Sequence, residues 1–177
     1  MTIYQSLKKD HDHIKVLLSS LVKATEKGQH TEKLLEQIEE ELVPHSRAEE
    51  AIFYNTIREE TDDAKLMMAD SFREHAQAET LLRTLKGLET IGVEWKKAAE
   101  QLKDAVEHHI AEEETEVFAK AKEILTTEES QQLAKAFEQT KQEFKQQGNL
   151  KNIVQMVGNM LPKRFADRIR DTLKEVS

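Results

Sequence analysis

Glu107-His108-His109-Ile110-Ala111-Glu112-Glu113-Glu114, and its earlier echo Pro44-His45-Ser46-Arg47-Ala48-Glu49-Glu50, set the frame of the chain. In each, a His is followed four residues later by a Glu: His45 with Glu49, and His109 with Glu113. Residues four apart lie on one helix face, one turn apart, so an imidazole nitrogen and a carboxylate oxygen converge beside the helix. Helical bundles build metal sites from side chains projecting inward in this way.

The spacing extends beyond these two stretches. His45 and His109 are 64 residues apart, as are Glu49 and Glu113. His11 and His75 keep the same interval, each after an acid, Asp10 and Glu74, and Leu17, Leu18 and Leu21 fall on Leu81, Leu82 and Leu85. Residues 1–125 therefore read as two copies of one unit, a helix beginning near a His and then a helix bearing His-x-x-x-Glu. Two such units make an all-α, up-down-up-down four-helix bundle, and residues 126–177 read as a C-terminal helical extension packed on it.

Working outward, the first helix is expected from Thr2 to Glu26, with His11, Ile14, Leu18, Leu21 and Val22 on one stripe and His13 towards solvent. Gly28 is expected to end it, with His30 in the connection and Thr31 capping a second helix to Glu60. Pro44 inside that helix predicts a kink just before His45. Thr61 to Asp63 caps a third helix reaching Leu88, and a fourth runs from Val93 to Leu125. Thr126 and Glu129 form a capping box that opens a fifth helix to Gln146. Leu150 to Ser177 reads as a further helical pair split near Leu161-Pro162.

Bulk properties narrow the function. The 177 residues are 34% charged and only 5% aromatic, with five Gly and two Pro, which suits long helices with solvated outer faces. A net charge of -8 argues against nucleic acid, since phosphate binding needs clustered Lys and Arg. The absence of cysteine excludes disulfides, iron–sulfur clusters and thiol chemistry, so any redox role uses a metal or bound cofactor. Neither a signal-peptide core nor a membrane-length apolar run is present, and cytoplasmic residence is the expectation.

The four inward His and two inward Glu suit a pair of first-row metal ions, with the Glu as bridges and the His divided between the ions. Burying two carboxylates without a cation would cost several kcal/mol or force them to protonate. At 100° per residue, His108 is a partly exposed neighbour, Glu50, Glu112 and Glu114 decorate solvated faces, and Tyr54 lies about 180° from His45. Glu79 and Glu116 sit on inward stripes as further ligands or as partners that fix an imidazole. Asp10 and Glu74 are placed either to orient the His beside them or on the helix surface.

Asp10-His11, His45-x-x-x-Glu49-Glu50 with Ile52-Phe53, Glu74-His75, and His109-x-x-x-Glu113-Glu114 with Phe118 resemble the hemerythrin-like HHE cation-binding domain over residues 1–125. The resemblance implies a non-haem di-iron centre of two iron ions, oxo- or hydroxo-bridged, held by His11, His45, Glu49, His75, His109 and Glu113. Oxygen-carrying members are richer in His, with a His-x-x-x-His pair on the third helix where this chain has Glu79; some others use a Glu where it has Ser46. The resemblance thus implies binding or sensing of dioxygen or a related small oxidant, in iron handling or oxidative or nitrosative stress. Its alternatives are a di-iron oxidase, peroxidase or nitric-oxide-detoxifying enzyme, and a metal-free interaction module whose protein partner docks on the C-terminal extension.

Overall fold

A computed structural model of the chain describes residues 1–24, 28–146 and 160–166. All regular structure among them is helical. Helix α1 is Ile3–Leu21. Helix α2, Gln29–Ala48, continues through a π-helical stretch, Glu49–Tyr54, into Asn55–Ile57. Helix α3 is Asp62–Gly87. Helix α4, Val93–Glu112, repeats the pattern of α2, with a π-helical stretch at Glu113–Val117 followed by Phe118–Ile124. Helix α5 is Thr127–Lys145.

The expected caps are present at two of these helices. The Thr61 hydroxyl accepts from the Ala64 N–H at 3.1 Å. Thr126 and Glu129 close their box through bonds of 3.2 and 2.9 Å, satisfying donors that a bare helix start would leave unpaired. The α1–α2 connection differs from expectation. Helix α1 stops at Leu21, while Gly28, with φ near −169°, is the N-cap of α2 rather than a left-handed stop. Thr31 therefore lies within the first turn of α2, and the exposed His30 is helical. Pro44 lies within helix α2, and π-helical geometry begins at Glu49.

Apolar residues form two clusters. One holds Ile14, Leu18, Leu42, Ala78, Leu82, Trp95, Leu102, Val106 and Ile110. The other holds Ile3, Leu7, Ile52, Phe53, Tyr54, Met68, Val117, Phe118, Leu133 and Phe137. Along each helix of the bundle the His or Glu separates the two: Leu7–His11–Ile14, Leu42–His45–Glu49–Ile52, Met68–His75–Ala78 and Val106–His109–Glu113–Val117. The four helices alternate in direction, so these residues meet in one polar layer between two apolar ones.

Helix α5 packs across α1 and α2 and sends Leu133 and Phe137 into the second cluster. Residues 160–166 join it there through Leu161, Phe165 and Ala166. Arg164 pins this segment by donating to Glu129 at 2.6 Å and to the Ile124 carbonyl at 2.8 Å. The expected break at Leu161-Pro162 is present, with a helical turn after it; the remainder of the expected helical pair lies outside the described residues, as does the Gly148-Asn149 break. No helix among the described residues is long and apolar enough to cross a membrane.

Candidate metal centre

His11, His45, Glu49, His75, His109 and Glu113 are all buried, none more than 7% exposed. Glu49 is central. Its Oε1 lies 3.0 Å from His45 Nε2 and 3.6 Å from His11 Nε2, while its Oε2 lies 3.4 Å from His75 Nε2. His75 and His109 bring their Nε2 atoms within 3.0 Å of each other. Two trios with metal-ligand geometry share this carboxylate, His11/His45/Glu49 and Glu49/His75/His109. Glu113 joins from the side, its Oε2 3.1 Å from His11 Nε2.

A second set of carboxylates holds the outer nitrogens. His45 Nδ1 meets Asp10 at 3.1 Å and His109 Nδ1 meets Glu74 at 2.8 Å. His11 Nδ1 meets Glu114 at 3.0 Å and His75 Nδ1 meets Glu50 at 2.9 Å. These four contacts obey the 64-residue repeat: Asp10 and Glu74 form one related pair, and Glu50 and Glu114 the other. Every bond crosses between helices. Asp10 and Glu74 therefore orient His45 and His109, not the His beside them in sequence, and Glu50 and Glu114 are not surface decoration. The His11 bond comes first in drawing the Glu114 carboxyl down to about 2. Against the opposing effect of burial, His45 and then Lys141 lower Asp10.

This arrangement decides the electrostatics of the layer. A carboxylate at Nδ1 takes that nitrogen's proton as donor, leaving a lone pair on each Nε2. Four lone pairs then face two carboxylates, a set made only of acceptors. Both oxygens of Glu49, both of Glu113 and His11 Nε2 are buried without a hydrogen-bond partner. Buried acceptors left so are costly, and a cation relieves all of them together. The donor set fits first-row metal ions, whose affinity for imidazole and carboxylate is general.

Without metal, protons take that role. Burial disfavours the charged imidazole, yet Glu113, Glu114 and Glu49 raise His11 well above its usual range. Glu49 and Glu50 likewise outweigh burial and lift His75 to about 9. Glu49 is driven well below the usual carboxylate range by His45, His11 and His75, again against burial.

Local backbone geometry helps to aim these groups. The N–H of Glu49 reaches both the His45 and Ser46 carbonyls, and that of Glu113 both the His109 and Ile110 carbonyls, so each π stretch opens at the carboxylate. A π turn holds one residue more than an α turn and is frequent at functional sites. Residues beyond it lag by about 100° relative to a straight helix, which is why Tyr54 turns inward. Tyr54 is fully buried, stacks on His75 with centroids 5.6 Å apart, and sets its hydroxyl 3.4 Å from His109 Nε2. Burial first, then Glu113 and Glu49, raise its pKa well above the usual value, so it keeps its proton. Its repeat counterpart is Phe118, stacked on His11 at 6.5 Å, so at this repeat position only the His75 side carries a hydroxyl.

The remaining candidates lie outside the six. Glu79 is engaged by the Arg47 guanidinium at 3.0 Å, away from the layer. Glu116 is exposed, and so are His13 and His108. Lys141 of α5 was not anticipated. It is buried and donates to Asp10 at 2.5 Å, linking the fifth helix to the His45 ring. Lys141→Ala is expected to cost about 2–3 kcal/mol in chemical denaturation, because Asp10 then keeps only His45 against its burial. The same variant should bind metal more weakly through a less well-held His45.

Two openings reach the layer. A cavity of about 10 Å³, room for one water-sized molecule, adjoins His45, His75 and His109 with Ser46 and Glu74, and is otherwise lined by apolar side chains such as Leu42, Val106 and Ile110. On another side a polar recess of about 150 Å³ between α3 and α4 reaches His109 and Glu113.

The sequence model of the hemerythrin HHE cation-binding domain matches residues 2–121. A curated relative, a DNA nickase of Nostoc sp. (strain PCC 7120 / SAG 25.82 / UTEX 2576), is 28% identical over 149 residues, 82% of this chain and 41% of that protein. The chain thus spans about two-fifths of the length of that relative.

Proposed function

The chain belongs to the family of hemerythrin HHE cation-binding domains, and from that premise we propose that its buried layer holds two iron ions and serves to bind or sense dioxygen or a related small oxidant. The observation that carries this reading is the convergence of four imidazole Nε2 atoms on two buried, unpartnered carboxylates. His11, His45 and Glu49 would hold one ion and Glu49, His75 and His109 the other, with Glu113 as a further carboxylate beside His11. Bound iron would supply reversible electron transfer and a Lewis acid with positions left open for a small ligand.

The chain's own residues supply the rest. Asp10, Glu50, Glu74 and Glu114 fix the four rings and their tautomers. The small cavity, with room for one water-sized molecule, suits a ligand of two or three atoms. Tyr54 holds a proton at its hydroxyl beside His109. That one-sided hydroxyl favours the second reading, a di-iron enzyme consuming oxygen, peroxide or nitric oxide, over plain carriage. The name of the Nostoc relative adds nothing to either reading, since more than half of that protein lies outside the match.

Elemental analysis of protein purified without added metal tests the proposal. About two irons per chain are expected, with visible bands that respond to reduction and air. Zinc or manganese in the same amount would keep the site and weaken the oxygen chemistry. Protein that is metal-free and refuses iron on reconstitution would overturn the reading.

A further inference from the structure

The two halves of the bundle have different surroundings. On the first half, α5 lies across α1 and α2, and Ser6, Ala48 and Ile52 are fully buried there. The residues 64 positions later are Asp70, Glu112 and Glu116. Where the repeat is uncovered, a hydroxyl, a methyl and an isobutyl-sized side chain have each become a carboxylate. With Glu74, these three line the recess between α3 and α4. At its inner end are His109 and Glu113; the latter is 1% exposed and both its oxygens lack a partner. Two of its lining carboxylates, Glu74 and Glu112, offer ligand atoms within 4.8 Å of each other and of the exposed His108.

We propose that this recess is the route by which divalent metal ions reach the buried layer, with Glu74, His108 and Glu112 as the first docking point and Glu113 as the receiving ligand. The inference rests on the metal-binding reading above. A cleft lined by one sign of charge concentrates counter-ions and speeds their capture. Arg73 pairs with Asp70, which leaves Glu112 and Glu116 as the carboxylates best placed to attract a cation. The cavity beside His45, with room for one water-sized molecule, is too small for a hydrated ion, so ion and small neutral ligand would use different openings.

Rapid mixing of the chelator-stripped full chain with Co²⁺, followed by the visible bands of the bound ion, tests the route. Glu112→Gln combined with Glu116→Gln should slow uptake by roughly tenfold at low salt and flatten its salt dependence, with the final stoichiometry unchanged. The control pair Glu36→Gln and Glu40→Gln removes the same charge from the exposed face of α2 and should load at the wild-type rate. Equal rates in wild type and the Glu112/Glu116 variant, or equal slowing in the control, would overturn the route while leaving the metal site standing. A reduced final stoichiometry would also overturn it, making the two carboxylates ligands. No uptake by the wild type would instead remove the metal-binding reading itself.

Discussion

Glu49→Gln is expected to empty the metal site and to lower the stability of the metal-free chain near neutral pH. Glu49 is the carboxylate shared by both ligand trios, one oxygen facing His45 and His11 and the other facing His75. Glutamine keeps its volume but replaces one oxygen by an amide nitrogen, which cannot bridge two cations. Metal content should fall at least about tenfold, more than when an outer partner of a ligand is lost. Without an ion, the charge of Glu49 helps to hold protons on His45, His11 and His75, and a neutral amide gives that attraction up. The melting temperature of the metal-free variant should therefore fall below that of metal-free wild type near pH 7.

Companion variants sharpen the result. Glu113→Gln should lose less metal than Glu49→Gln, because Glu113 approaches only His11 this closely and belongs to neither trio. His109→Ala should lower metal content, and His13→Ala, on an exposed position, should not. If Glu113→Gln emptied the site and Glu49→Gln did not, the central place of Glu49 would be wrong.

Much of this arrangement was legible in the sequence. The 64-residue interval selected the six residues of the buried layer because a repeat related by symmetry must present its polar positions to the same interior. The stripes around His11, His75 and His109 followed from 3.6-residue periodicity alone. Periodicity failed past Glu49. Counting at 100° per residue assumes an unbroken α-helix, and the π turn carries Tyr54 from the far side into contact with His75. Nothing in local propensity marks that extra residue. Glu50 and Glu114 were misread for another reason: their partners lie 25 and 103 residues away on other helices, so only the packing reveals them. Lys141 illustrates the same limit, since its helix pattern does not say which surface α5 covers. Gly28 and Thr31 failed more simply, each being suited to two positions at a helix end.

Removing metal is expected to reverse the sign of the protein's pH dependence. In the metal-free chain, His75 titrates at about 9, against 6.5 when unfolded. A raised folded-state value stabilises fully below the unfolded one and is lost as pH climbs through the folded one. For His75 that contribution is about 3 kcal/mol, declining between pH 6.5 and 9. His11 and His45 are raised too and add to the same trend. Glu49 works at the other end: its depressed value contributes stability above 4.5 that disappears as pH falls through the folded-state value. The metal-free melting temperature should thus be highest in mildly acidic solution and fall towards pH 9. A metal ion needs the same Nε2 atoms unprotonated, so loading releases protons, and affinity should rise about tenfold per pH unit for each proton displaced. Melting curves from pH 5.5 to 9, with and without excess metal, should therefore diverge as pH increases. Parallel curves would mean that the ion is held elsewhere, because binding through this layer must compete with the protons held on His11, His45 and His75.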